Sequence, residues 1–235
     1  MPKPALSRLS LSLALVAAFG LGSGNAHARE EAPSFTQFNS FIEGHPDMFW
    51  RRAGVRAYKQ DRFAEALSAF RRAARYADKP SQAMIAQMLW NGDGVAVDRV
   101  MAYVWADLAA ERGYPEFIAT RERFWHALNA AQQRAAVEAG QAIFDEYGDK
   151  VAKRRAAGAM LHARRSITGS RTGHVGTLMV SQQLPDGTFA SIDGALFYAD
   201  KYWKPELYWE WQDSTFERLP EGKVEVGPLQ LPPKP

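Results

Sequence analysis

The sequence predicts a mainly α-helical fold, with helix-pair repeats followed by a small strand-containing, aromatic-rich C-terminal domain. Three observations predict it. From about Asp47 to Ile167 the chain is rich in Ala, Arg, Glu and Gln, with apolar residues three and four apart and few glycines or prolines; this is the period of helices that bury one face. Within that stretch Ala66 with Ala73-Ala74 returns 36 residues later as Ala102 with Ala109-Ala110, and an internal period of this length signals stacked helix pairs. From Thr168 onward β-branched residues, glycines and prolines take over, the punctuation of strands and turns.

Composition bounds the possibilities. The 235 residues are 46% hydrophobic and 23% charged, with no cysteine and a formal charge of +3, which excludes disordered, collagenous and disulfide-stapled classes. Without a sulfhydryl there is no thiolate metal site, no thiol nucleophile and no lipid anchor through an N-terminal cysteine.

Residues 1–28 read as a secretory signal peptide. Lys3 and Arg8 precede an apolar run from Leu9 to Leu21, and Ala26-His27-Ala28 supplies small residues at a cleavage position. The run falls short of the ~20 residues that a spanning helix needs, and no later segment is longer, so no transmembrane span is expected after cleavage. Removing this segment leaves 207 residues and a formal charge of +1, with no global attraction to nucleic acid. The expected location is the periplasm or the exterior.

Residues 29–46 form a lead-in, and residues 47–167 the helical domain. Its two copies each read as a helix, a turn and a second helix, with alanines where the helices approach closest. Tyr58 corresponds to Trp90 at a spacing of 32, so the second copy carries four extra residues in its connection, Asn91 to Asp98. The Asn91-Gly92-Asp93-Gly94 stretch lacks the Lys-Ser/Thr of a P-loop and the oxygen ligands of an EF-hand. It reads as a turn in which glycine ends one helix in the left-handed conformation and Asp98 caps the next.

These residues carry a resemblance. Ala86-Gln87-Met88-Leu89-Trp90-Asn91-Gly92-Asp93-Gly94-Val95, then Asp98, Ala102, Trp105, Ala109-Ala110 and Gly113, resemble a Sel1-like repeat, a relative of the tetratricopeptide repeat. Ala57 to Ala66 with Phe70 and Ala73-Ala74 is similar to the shorter-looped tetratricopeptide form, and Arg121 to Ile143 resembles the helix pair that closes such arrays. The resemblance implies noncatalytic protein binding or scaffolding, here by an envelope protein partner, and makes Tyr58, Trp90, Tyr103 and Trp105 the repeat aromatics to test for contact.

Other candidates come from the residues themselves. No histidine pair has the i, i+4 or His-x-Glu spacing of a metal or general-base helix, so neither metal nor cofactor is expected. A basic run with no acid between Lys150 and Arg171 places Arg154, Arg164, Arg165 and Arg171 as candidates for an anionic envelope polymer or lipid headgroup. The alternative is a solvated face paired with C-terminal acids.

Residues 168–226 form the expected small domain. Leu184-Pro185-Asp186-Gly187-Thr188 signals a hairpin. Eight aromatics lie within the twenty residues from Phe197 to Phe216. Tyr202, Trp203, Tyr208, Trp209 and Trp211 either form a platform for a glycan or peptide, or build a core docked on the helices. With Glu206, Glu210 and Asp213 interleaved, a carbohydrate-binding or carbohydrate-cleaving protein is the alternative class. Residues 227–235 read as a loose Pro-rich tail.

Overall fold

In the computed structural model, residues 34–168, 178–184 and 187–217 are described. The expected signal peptide, Arg171 and the Pro-rich tail lie outside them. After a 3-10 turn (Ser34–Gln37), the helical half comprises α1 (Asn39–Gly44), α2 (Pro46–Lys59), α3 (Phe63–Ala74), α4 (Lys79–Asn91), α5 (Arg99–Ala109), α6 (Pro115–Ala127), α7 (Ala130–Tyr147) and α8 (Asp149–Thr168). The strands β1 (Met179–Gln183) and β2 (Phe189–Asp193) follow, then α9 (Gly194–Phe197), α10 (Asp200–Trp203) and α11 (Pro205–Glu217).

Local chemistry sets the helix ends. Pro46, Pro80 and Pro115 open α2, α4 and α6 in their first turns, where a missing N–H costs nothing and the fixed φ suits the helix. The Asp78 carboxylate accepts from the Ser81 N–H, and Asn129 with Gln132 forms a reciprocal capping box. Gly92 ends α4 at φ +80°, and the Asp98 carboxylate accepts from the Met101 N–H to begin α5, as the sequence predicts.

The helices pair as neighbours in the chain, α2 with α3 and α4 with α5, and α5 then packs on α6 and α7. The recurring alanines lie where the helices meet: Ala66, Ala73, Ala74, Ala102 and Ala109 are all fully buried. A Cβ on Gly54 would stand 2.6 Å from the Phe70 ring, so α2 and α3 approach this closely only with glycine there. Phe70, Ile85, Met88, Leu108 and Phe124 fill the shared core, each contributing about 1.5–3 kcal/mol of burial. Gly94 brings the long connection of the second pair onto the first, because a Cβ there would meet the Phe63 Cβ at 2.3 Å.

A buried charge cluster joins these pairs to α8. The Lys79 ammonium, with no exposed side-chain surface, donates to the Leu108 carbonyl at 2.9 Å and to Glu111 at 2.6 Å, and lies 3.1 Å from Asp149. Arg112 grips both Asp149 oxygens, at 2.7 and 3.0 Å, and donates to the Ala77 carbonyl. Burial by itself would raise the Asp149 carboxyl, but the Arg112 hydrogen bonds and the Lys79 and Arg112 charges hold it well below the usual carboxylate range.

The C-terminal half is mostly helical rather than β-rich. Among the described residues only β1 and β2 pair, antiparallel with Ser181 opposite Ser191; Gly187 adopts φ +84° in the hairpin connection, where glycine alone carries no penalty. The aromatic segment falls on α9, α10 and α11, and it shares its core with the lead-in. Phe35, Phe38 and Phe41 interleave with Phe197, Tyr198, Tyr202 and Trp203, while Tyr208 and Trp209 pack on Ala152, Ala156 and Met160 of α8. Phe216 stacks on Tyr114 at 4.6 Å. Both ends of the described chain therefore clasp the helical array.

Candidate functional site

The repeat aromatics turn toward their neighbours. Trp105 is buried against Tyr147. Trp90 stacks on Phe124 at 3.9 Å and is covered on another side by the Arg99 guanidinium. Tyr58 packs on Phe63, and its hydroxyl donates to Asp93 at 2.9 Å. Tyr103, half-buried, lies on Trp125 at 4.8 Å. Each of the four thus packs against a residue of another helix, and all four belong to or border one hydrophobic cluster.

Most of the C-terminal aromatics named as a platform are buried. Tyr202, Trp203, Tyr208 and Trp209 are all buried, so their rings are enclosed by protein, and Trp211 is half-buried. The reason is long-range: the rings face the lead-in phenylalanines and α8. Glu206 and Glu210 lie on the exposed face of α11, opposite Tyr208 and Gln212. Asp213 is taken up by the Tyr114 hydroxyl and the Arg112 guanidinium.

At the centre of this clasp sits His45, which the sequence left unassigned. Its Nδ1 lies 2.7 Å from the Phe41 carbonyl and its Nε2 2.8 Å from the Tyr202 carbonyl. The ring is sandwiched by Phe41 and Tyr208. Burial pushes the imidazole below its ordinary value against the opposing pull of Asp47 and the two carbonyls. Asp47 accepts from the Tyr208 hydroxyl at 2.5 Å, and burial together with that carboxylate raises the phenol well above its usual range. The site is a structural junction between the lead-in and the C-terminal helices.

Of the expected anion-binding arginines, Arg164 is half-buried and lies 3.6 Å from Asp200. Arg154 and Arg165 are exposed and eleven residues apart, which puts them on one face of α8 at a separation of about 16 Å. Arg155 serves the fold instead. It donates to the Arg75 carbonyl at 2.9 Å and to the Glu146 carbonyl at 2.5 Å, satisfying carbonyls at two helix ends where a cation is favoured.

Near Arg75, to whose carbonyl Arg155 donates, lies an open cleft of about 330 Å³ lined by Ala64, Leu67, Ser68, Arg71, Arg72, Arg75, Gly94 and Tyr147. Residues 64, 68, 71 and 75 follow a helical period, so one face of α3 and the residue after it present the small residues and the cations together. The cleft's other wall comes from the long connection through Gly94 and from the end of α7 through Tyr147. All three arginines are exposed. The Arg72 guanidinium lies 4.4 Å over the Trp50 ring, and Arg75 pairs with Glu146.

These arginines were missed in the sequence because Arg71-Arg72-Ala73-Ala74-Arg75 reads as any solvated basic helix face. The usable signal was its helical register with Ala64 and Ser68. Among the described residues no group of three His, Asp or Glu side chains is placed to hold a metal ion, and no helix is long and apolar enough to cross a membrane. No protein-family model, curated protein or solved structure matches the chain.

Proposed function

We propose that the chain is an exported, noncatalytic binding module that engages a protein partner in the cell envelope through a Sel1-like helical array. The single observation that carries this reading is the cationic cleft. The repeat aromatics and most of the C-terminal rings are taken up in packing, whereas the cleft sets exposed side chains of α3 and Arg75 opposite the Gly94 backbone and the half-buried Tyr147 ring. Concave surfaces assembled from successive helix pairs suit extended partners. The charged, apolar and small-residue order of the first 28 residues supports export.

The test is retention of envelope proteins by the immobilised chain beginning at Arg29, quantified by mass spectrometry. Residues 178–217 must be kept, because they share cores with the lead-in and α8. The expected result is a small protein set enriched about tenfold over bare resin and competed away by free chain; no enrichment overturns the reading. A second reading, binding of an anionic envelope polymer along α8, draws on the exposed Lys150, Arg154 and Arg165.

A further inference from the structure

Building on that partner-binding reading, we infer that the cleft between α3, Gly94 and Tyr147 takes an extended acidic segment of the partner protein, with Arg71 and Arg75 as its carboxylate contacts. Three arginines and no acid line the cleft. Glu146, next to the lining residue Tyr147, pairs with Arg75; Asp93, next to Gly94, accepts from the Tyr58 hydroxyl; and Glu65, next to Ala64, pairs with Arg62. Arg71 is exposed and makes no ion pair among the described residues. Arg71 and Arg75 stand one helical turn apart; Arg75 already shares Glu146 at the rim, so a bound carboxylate would answer Arg71 first and take up the remaining donors of Arg75.

Guanidinium groups match carboxylates in bidentate geometry. The remaining lining, with Ala64 and Leu67 beside the half-buried Tyr147 ring, offers apolar contact between the charges. A segment alternating acidic and apolar side chains satisfies both. The cleft is open to solvent, which suits a peptide rather than an enclosed small molecule. A membrane surface would call for an exposed apolar face beside the cations, and a long polymer fits the straight stripe on α8 better than a concavity.

Fluorescence anisotropy on the full chain tests this, with a labelled peptide alternating glutamate and leucine and its glutamine counterpart as probes. The glutamate peptide is expected to bind saturably near about 10 μM and to weaken with added salt; the glutamine peptide is expected not to bind. Combined Arg71→Gln and Arg75→Gln substitution should weaken binding at least about tenfold at an unchanged melting temperature, and Ser68→Glu, at an exposed cleft position, should do the same by repulsion. Arg154→Gln with Arg165→Gln should leave it intact. The inference is overturned by equal binding of both peptides, by insensitivity to the cleft variants, or by dextran sulfate or phosphatidylglycerol vesicles binding at the cleft more tightly than the peptide. If the peptide fails while envelope proteins are still retained, the acidic assignment falls alone; if retention also fails, the partner reading falls with it.

Discussion

Replacing Lys79 with alanine is expected to cost about 3–5 kcal/mol of folding stability, the range found when one partner of a buried ion pair is removed. Chemical denaturation followed by circular dichroism reads this directly. The ammonium is wholly enclosed and answers Glu111, Asp149, the Gln82 side chain and the Leu108 carbonyl together. Its loss opens a cavity, leaves the carbonyl without this donor and leaves Asp149 to Arg112 and Lys153. Lys79→Met refills the volume and should recover the packing part of the loss while leaving the electrostatic part.

The same cluster makes the protein acid-sensitive in a defined window. Asp149 is depressed in the folded state, so it binds its proton less readily there than in the unfolded chain. Its stabilisation is present above the ordinary aspartate value near about 3.9 and is lost as pH falls below that value through the folded one. His45, also depressed, adds an earlier loss that begins as pH falls through about 6.5, where the unfolded imidazole takes up a proton first. Melting temperatures measured from pH 7 down to about pH 2 should therefore decline in two stages, and His45→Gln should remove the earlier one.

Phe41→Ala carries the second large effect, a loss of about 3–5 kcal/mol from a buried aromatic that cannot be replaced by collapse of its surroundings. Phe41 is fully buried and touches Phe35, His45, Phe197, Tyr202, Trp203 and Trp211, so it links the lead-in to the C-terminal helices. The loss should be local as well as global. Trp203 and Trp211 become solvated, giving a red-shifted fluorescence before the helical signal declines, and hydrogen exchange should quicken in α9 to α11 ahead of α4 and α5. A variant that unfolds in one step, with no earlier change in tryptophan emission, would show that the clasp is not a separable unit.

The parts legible in the sequence are those written by neighbours. Gly92 and Asp98 state a helix end and a helix start within seven residues, and both occur as read. The alanine recurrence marks the closest helix contacts because small size at a fixed period has few other uses. Gly187 likewise announces the hairpin. The clasp was not legible, since whether Trp203 is buried depends on Phe41, which is 162 positions earlier and belongs to a lead-in without its own pattern. Lys79 opens a helix like any surface lysine; its burial follows from Glu111, on the 3-10 turn after α5, and Asp149, at the start of α8, arriving later in the chain. The cleft lies between these cases: Arg71 and Arg75 show their helical register, but Gly94 and Tyr147 become its opposite wall only in the fold.

The central claim is that this cleft is where the protein meets its partner, and site-specific photo-crosslinking tests it most directly. A photoreactive side chain at the exposed Ser68, inside the cleft, is activated in cells producing the full chain, beside a control carrying it at the exposed Glu138 of α7. The account predicts a discrete covalent adduct with another protein from position 68, absent from position 138 and lost when Arg71 and Arg75 are changed to glutamine. No protein adduct from position 68, or the same adduct from both positions, would contradict it.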